Sequence, residues 1–98
     1  AEAAALEAMR LNPDNKKIVF QYLNIIQRSR SADRFHEELL KAYQRFNRDP
    51  DFILAMARSF ARIKNDPENA AALYRQYLDV APESENSDQV REELAVVM

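Results

Sequence analysis

Apolar residues recur along the chain at the spacing of a helical face. Hydrophobic side chains at every third or fourth position lie on one side of a helix with about 3.6 residues per turn. Val19, Tyr22, Leu23 and Ile26 form one such stripe, and the period-two alternation of strands is not seen in the sequence. The segments predicted to be helical are 1–11, 16–29, 32–47, 51–64, 68–80 and 87–98.

Short polar breaks, several with a proline, separate these segments. Asp49-Pro50 and Asp66-Pro67 have the form of helix starts, because Asp caps a helix and Pro is favoured at its first position. The other predicted N-caps are Asp14 or Asn15, Ser31 and Ser87. Since the chain has no glycine, left-handed residues at helix ends are predicted at Asn12, Asn47 and Asn65.

The composition excludes several kinds of chemistry. Phosphate-cradling loops, dinucleotide turns and nucleophile elbows need glycine, and the chain has none. The lack of cysteine excludes disulfides, zinc knuckles and thiol nucleophiles. Fourteen Lys and Arg against sixteen Asp and Glu give a formal charge of -2, with the signs interleaved. This balance disfavours a nucleic-acid domain. The absence of glycine, which also removes the favoured residue of tight strand hairpins, predicts an all-helical fold.

The candidate catalytic groups have simpler structural interpretations. His36 is the single histidine of the sequence, and the acids Glu37 and Glu38 follow it directly instead of one turn later, which is poor geometry for a metal site. We therefore expect His36 to be a structural residue at the surface or partly buried. Most carboxylates lie at helix starts, where the helix dipole favours them. We expect no catalytic residue, no metal and no cofactor.

Arginines and tyrosines are the candidate nucleic-acid contacts of the sequence. Arginines cluster weakly at positions 28, 30, 34, 45 and 48. They could bind an anion or RNA phosphate, but cations at helix C-termini also complement the dipole, and we favour that interpretation. The four tyrosines lie on apolar stripes, so we expect them to pack in the core and not to stack on bases.

Two segments share one spacing of small and aromatic residues followed by proline. Ala1, Ala5, Ala8 and Pro13 are separated by four, three and five positions, and so are Ala70, Tyr74, Tyr77 and Pro82. This spacing resembles the second helix of the tetratricopeptide repeat. The resemblance covers essentially the whole chain. It implies an all-α fold, a right-handed α-α superhelix of about six short antiparallel helices.

The resemblance also implies a division of the chain. We expect a single repeat domain over 1–98, made of a half-repeat 1–13, a repeat 16–50, a repeat 51–82 and a terminal helix 86–98. The chain opens on alanine without an initiator Met, so we expect a piece of a longer protein. The compartment is left open between cytoplasm and periplasm. No apolar run is long enough to span a bilayer. Exposed terminal helices could join copies of the chain to one another.

Two close-packing pairs of positions depart from the family pattern. The family pairs a Gly in the first helix with an Ala in the second, whereas this chain has Leu23 with Phe35 and Arg58 with Ala70. We expect the first hairpin to splay around its two bulky side chains. The segment 71–75 is also similar to the second helix of half-a-tetratricopeptide repeats from RNA-processing proteins.

The function that the resemblance implies is binding of another protein. First helices of such arrays line a concave groove that accepts a peptide or helix. By position, the groove residues are Lys17, Phe20, Asn24 and Gln27 from one repeat, and Phe52, Ala55, Met56, Ser59 and Arg62 from the next. Asn24 is similar to the asparagine that fixes a ligand backbone in some members. The alternatives are a scaffold in an RNA-processing complex and a regulatory module of a larger enzyme.

Overall fold

The computed structural model describes residues 2–28 and 31–98, and this part of the chain is all-helical. The helices are α1 (Glu2–Leu11), α2 (Lys16–Gln27), α3 (Ala32–Arg45), α4 (Pro50–Arg62), α5 (Pro67–Val80) and α6 (Ser87–Val97). The prediction of six short helices is confirmed, whereas their superhelical arrangement stays a prediction. None of the helices in the described ranges is long and apolar enough to cross a membrane.

The two predicted aspartate–proline helix starts are confirmed. Asp49 caps α4, and its carboxylate accepts a hydrogen bond of 2.9 Å from the Asp51 N–H. Asp66 caps α5 and accepts a hydrogen bond of 3.2 Å from the Asn69 N–H. In both helices proline occupies the first turn, where its missing N–H costs no internal hydrogen bond. The caps thus fix the starts of the two helices that build the larger core.

The remaining predicted N-caps divide into two correct and one wrong. Asn15 caps α2, and the Ser31 hydroxyl accepts a hydrogen bond of 3.2 Å from a backbone N–H at the start of α3. Ser87 does not cap α6, because it is the first residue of that helix and its hydroxyl donates to the Ala81 carbonyl at 2.8 Å. Asn86 takes the cap position without a side-chain hydrogen bond.

One of the three predicted left-handed asparagines has that conformation. Asn65, between α4 and α5, has φ of 51° and is the single residue of positive φ in the described part of the chain. The predictions for Asn12 and Asn47 are wrong. The Asn12 side chain donates to the Ala8 carbonyl at 3.1 Å and closes the end of α1. After α3, which ends at Arg45, the turn around Asn47 closes through the Asp49 N–H and the Phe46 carbonyl at 3.0 Å.

The chain divides into two compact units, Ala1–Arg45 and Phe46–Met98. In unit 1, α2 packs against both α1 and α3. The buried side chains are the predicted stripe of α2 together with two residues of α3: Val19, Tyr22, Leu23, Ile26, His36 and Leu39. Outside this core, Arg45 pairs with Asp14 at 2.9 Å.

In unit 2, α5 packs against both α4 and α6. The rings of Phe46 and Phe52 stack with centroids 4.7 Å apart and planes within 9°. Gln76 donates to the Asn47 carbonyl at 3.0 Å and ties the turn before α4 to α5. The buried hydrophobic residues are Phe52, Ile53, Leu54, Met56, Ala57, Ala70, Ala71, Tyr74, Tyr77 and Val90.

The boundary between the units lies inside the predicted repeat 16–50. The single-domain organisation and the division into repeats stay predictions, as does the splay of the first hairpin. Leu23 is buried and Phe35 is half-buried, so both bulky residues of that hairpin contribute to packing. Removing them from water is favourable at about 25 cal/mol per Å² of apolar area.

Candidate partner-binding surface

The four predicted groove residues on α2 offer a mixed polar and apolar surface. Lys17, Asn24 and Gln27 are exposed, and Phe20 is half-buried. Their spacing of three and four positions places them along one side of α2. The opposite side carries the buried stripe of unit 1. This side of α2 therefore combines an ammonium group, two amides and part of an aromatic ring.

The predicted groove residues on α4 are mostly covered. Phe52 and Met56 are 0% exposed, Ser59 is 4% exposed, and Ala55 is half-buried. Buried positions on α4 run through nearly consecutive residues, so most of the circumference of this helix is covered. A partner could touch Phe52, Met56 or Ser59 only after the side chains that cover them had moved. That the residues of α2 and α4 line one groove stays a prediction.

Arg62, the last predicted groove residue, is exposed but has a partner. Its Nη2 lies 3.3 Å from Oε1 of Glu93 on α6. The same carboxylate receives two stronger hydrogen bonds from Arg58, Nε to Oε1 at 3.0 Å and Nη2 to Oε2 at 2.9 Å. The Tyr74 hydroxyl of α5 donates to Oε1 at 3.4 Å. We call Arg58, Arg62, Tyr74 and Glu93 the Glu93 cluster; it joins α4, α5 and α6.

The electrostatics of the Glu93 cluster follow from this geometry. Hydrogen bonding to Arg58 lowers the pKa of Glu93, and the charges of both arginines add to this against the opposing effect of burial. The same hydrogen bonds raise the pKa of Arg58. Burial, followed by the negative charge of Glu93, raises the pKa of Tyr74. At neutral pH the cluster therefore contains a carboxylate facing two cations and a protonated phenol that donates.

A chain of hydroxyl groups fixes the connection between α5 and α6. The Tyr77 hydroxyl lies 2.7 Å from Ser84 Oγ, which lies 3.0 Å from Ser87 Oγ. Ser87 completes the chain by donating to the Ala81 carbonyl. Arg91 donates to the Pro82 carbonyl at 2.8 Å. These contacts satisfy backbone groups that a helix end would otherwise leave unpaired.

The lone histidine is more buried than the sequence indicated. His36 is 5% exposed and belongs to the core of unit 1, so the expectation of a surface or partly buried residue is wrong. The physical reason is its position on α3, three residues before Leu39 on the side that faces α2. In the described ranges, no group of three or more His, Asp or Glu is arranged to hold a metal ion.

Three of the four tyrosines are buried, whereas the described arginines of the weak clusters are exposed. Tyr22, Tyr74 and Tyr77 are buried, which confirms core packing for these three, and Tyr43 is half-buried. Arg28, Arg34, Arg45 and Arg48 are exposed, and Arg45 pairs with Asp14. Arg30 lies outside the described residues. The arginines therefore remain candidates for either helix-end charges or an anion contact.

The role of Glu93 is not evident from the sequence. Glu93 is one of many carboxylates, and Arg58 stands out only as a misfit where the family has a small residue. A charged residue on an apolar stripe requires a partner, because an unpaired buried charge is costly. That signal predicts an acidic partner for Arg58 but does not say which of the many acids it is.

No known protein family matches the chain, and no curated protein or solved structure shows significant similarity to it. The tetratricopeptide resemblance therefore rests on the residue spacing of this sequence alone. The site residues are interpreted from their own geometry and chemistry.

Proposed function

We propose that this chain is a non-catalytic, tetratricopeptide-like interaction module that binds a partner peptide or helix. The observation that carries the proposal is the exposed side of α2, where Lys17, Asn24 and Gln27 are exposed on the same side of the helix as the half-buried Phe20. These side chains are on a helix whose other side is anchored in the core of unit 1. A site on a rigid helix can hold a ligand in one orientation.

The chemistry of this surface defines the partner. The Asn24 and Gln27 amides each donate and accept hydrogen bonds, as recognition of an extended peptide backbone requires. Lys17 provides a positive charge for an acidic side chain, and Phe20 provides apolar surface. The favoured ligand is therefore a peptide or helix that carries an apolar residue next to an acidic one.

The first experiment selects ligands and then tests them against matched variants. A displayed library of random peptides is selected on the wild-type chain, and the dissociation constants of the best peptides are measured by isothermal titration calorimetry. The test variant is Lys17→Glu with Asn24→Ala. The control is Arg75→Glu with Gln44→Ala, since both of these residues are exposed on other helices. Test and control make the same change in net charge and remove one amide each.

The proposal predicts a clear difference between the two double variants. Removing a charged and a polar contact from a small interface weakens binding about tenfold or more. The control should bind selected peptides as the wild type does. Equal binding by both double variants, with helicity unchanged by circular dichroism, would remove α2 as the binding surface. A library that gives no ligand selective for the wild-type chain would contradict the interaction function itself.

A further inference from the structure

The helix α6, which packs against α5, buries few of its apolar side chains completely. Val90 is 0% exposed, but Leu94 and Val97 are only half-buried. Val96 is 86% exposed and Met98 is 74% exposed. The hairpin of α4 and α5, by contrast, contributes nearly all of the buried hydrophobic residues of unit 2.

Polar contacts supply most of the specificity of this attachment. Three donors from the hairpin, Arg58, Arg62 and Tyr74, converge on the single carboxylate of Glu93. Arg58 meets it in the bidentate geometry that distinguishes a carboxylate from other acceptors. The Glu93 side chain is 13% exposed, so the carboxylate is mostly removed from water. The hairpin thus has the features of a carboxylate-binding site that α6 occupies.

We propose that the surface of α4 and α5 beneath α6 is a second binding site, which accepts an amphipathic helix from another protein in place of α6. The ligand carries a glutamate that meets Arg58 and Arg62, with an apolar residue three positions before it. In α6 these are Glu93 and Val90. The helix α6 acts as an internal ligand that blocks the site until the partner displaces it.

Charge complementarity identifies the occupant. Without α6, two guanidinium groups and a phenol hydroxyl are left facing an apolar surface, and this surface pairs best with a helix that carries an acid. The connection from α5 favours α6 over a separate helix, because docking of α6 is intramolecular. A partner helix must therefore bind more tightly than α6, or bind when α6 is weakened. The site does not depend on the α2 surface.

The experiment uses the full chain and a peptide of its own α6 sequence, residues 86–98, as the probe. A fluorescein-labelled peptide is titrated with the wild-type chain, with Glu93→Gln, and with Glu92→Gln as the matched control. Glu92 is the neighbouring glutamate and is exposed, so both variants lose one negative charge. A second peptide carries glutamine in place of the glutamate that corresponds to Glu93.

Loosening the internal helix should open the site to the peptide. Loss of the charge-assisted hydrogen bonds of Glu93 weakens intramolecular docking about tenfold or more. The Glu93→Gln chain should therefore bind the native peptide at least about tenfold more tightly than the wild type or Glu92→Gln does. The glutamine peptide should bind that chain at least about tenfold more weakly than the native peptide does.

Several results would overturn the proposal. One is equal affinity of the native peptide for the Glu93→Gln and Glu92→Gln chains. Another is equal affinity of the native and glutamine peptides for the Glu93→Gln chain. A wild-type chain that is already a dimer by light scattering through exchanged α6 helices would assign the site to a second copy instead. Should Glu93→Gln not fold, native-state hydrogen exchange of the wild type decides. The proposal requires amides of α6 to exchange through an opening of lower free energy than those of α4 and α5.

Discussion

The guanidinium of Arg58 holds the carboxylate of Glu93 through two hydrogen bonds of 3.0 and 2.9 Å, and this pair ties α4 to α6. Arg58 occupies a position where the resembled family has a small residue that allows two helices to approach closely. In this chain the side chain at that position carries a positive charge toward α6. The pair therefore converts a packing position into a specific polar contact between helices.

Removing one partner of this pair should destabilise the protein. In Glu93→Gln the guanidinium of Arg58, with 35% of its side chain exposed, loses its counter-charge. We expect the free energy of unfolding to fall by about 1–3 kcal/mol in urea denaturation. Glu92→Gln, on the exposed side of α6, should change it by less than about 0.5 kcal/mol. An equal effect of the two substitutions would show that the contact contributes no net stability.

The stability that Glu93 contributes should depend on pH. Because its pKa is lowered in the folded protein, the folded state binds this proton more weakly than the unfolded state does. The contribution is therefore complete above the ordinary glutamate pKa of about 4.3 and is lost as the pH falls through the lowered folded value. The difference in unfolding free energy between wild type and Glu93→Gln should be constant from pH 7 to about pH 5 and shrink below that. A difference that grows on acidification would have the wrong sign.

The left-handed backbone at Asn65 predicts a pair of opposite outcomes. With φ of 51°, replacement by alanine should lower the free energy of unfolding by about 1 kcal/mol, because alanine keeps the contact of Cβ with the following carbonyl and lacks the polar side chain by which asparagine offsets it. Glycine at this position should be neutral or stabilising, since it adopts positive φ without that contact. Asn47→Ala is the control, because Asn47 follows a helix at an exposed position without positive φ. Thermal melts of the three variants measure the effect.

The capping aspartate of α5 is expected to matter more than an exposed aspartate of the same helix. The Asp66 carboxylate accepts from the backbone and side-chain nitrogens of Asn69, at 3.2 and 2.6 Å. Asp66→Ala should therefore lower the free energy of unfolding, because α5 loses the cap of its first turn. Asp79→Ala, in the last turn of α5, should be neutral or slightly stabilising because a negative charge there opposes the helix dipole. Equal losses in chemical denaturation would exclude capping as the cause.

The helix starts and the buried stripe of α2 can be predicted from the sequence, because each depends on residues that are close together in the chain. The starts of α4 and α5 follow from Asp49 and Asp66 before their prolines, and the buried stripe of α2 follows from helical spacing. The tendency of asparagine to adopt left-handed backbone is not sufficient to predict how the helices end. Asn12 and Asn47 have residues nearby that close the turn by other hydrogen bonds. Left-handed backbone therefore occurs only at Asn65 in the described part of the chain.

The candidate site was less predictable because burial depends on residues distant in sequence. Phe52, Met56 and Ser59 were expected at a groove, but α4 is covered on most of its circumference. The spacing of α3 places His36 three residues before Leu39 on the core side, but its polar side chain favoured a more exposed position than the structure shows. The partner of Arg58 is thirty-five positions away, a separation at which sequence periodicity carries no information.

The measurement that tests the proposed function most directly is a map of ligand contacts on the chain. A selected peptide is titrated into ¹⁵N-labelled wild-type protein, and amide and side-chain NMR shifts are followed by residue. Binding through α2 predicts the largest changes at Lys17, Phe20, Asn24 and Gln27, including the side-chain amides of the last two. Shift changes confined to other helices, with the shifts of these four residues unchanged at saturation, would contradict binding through α2.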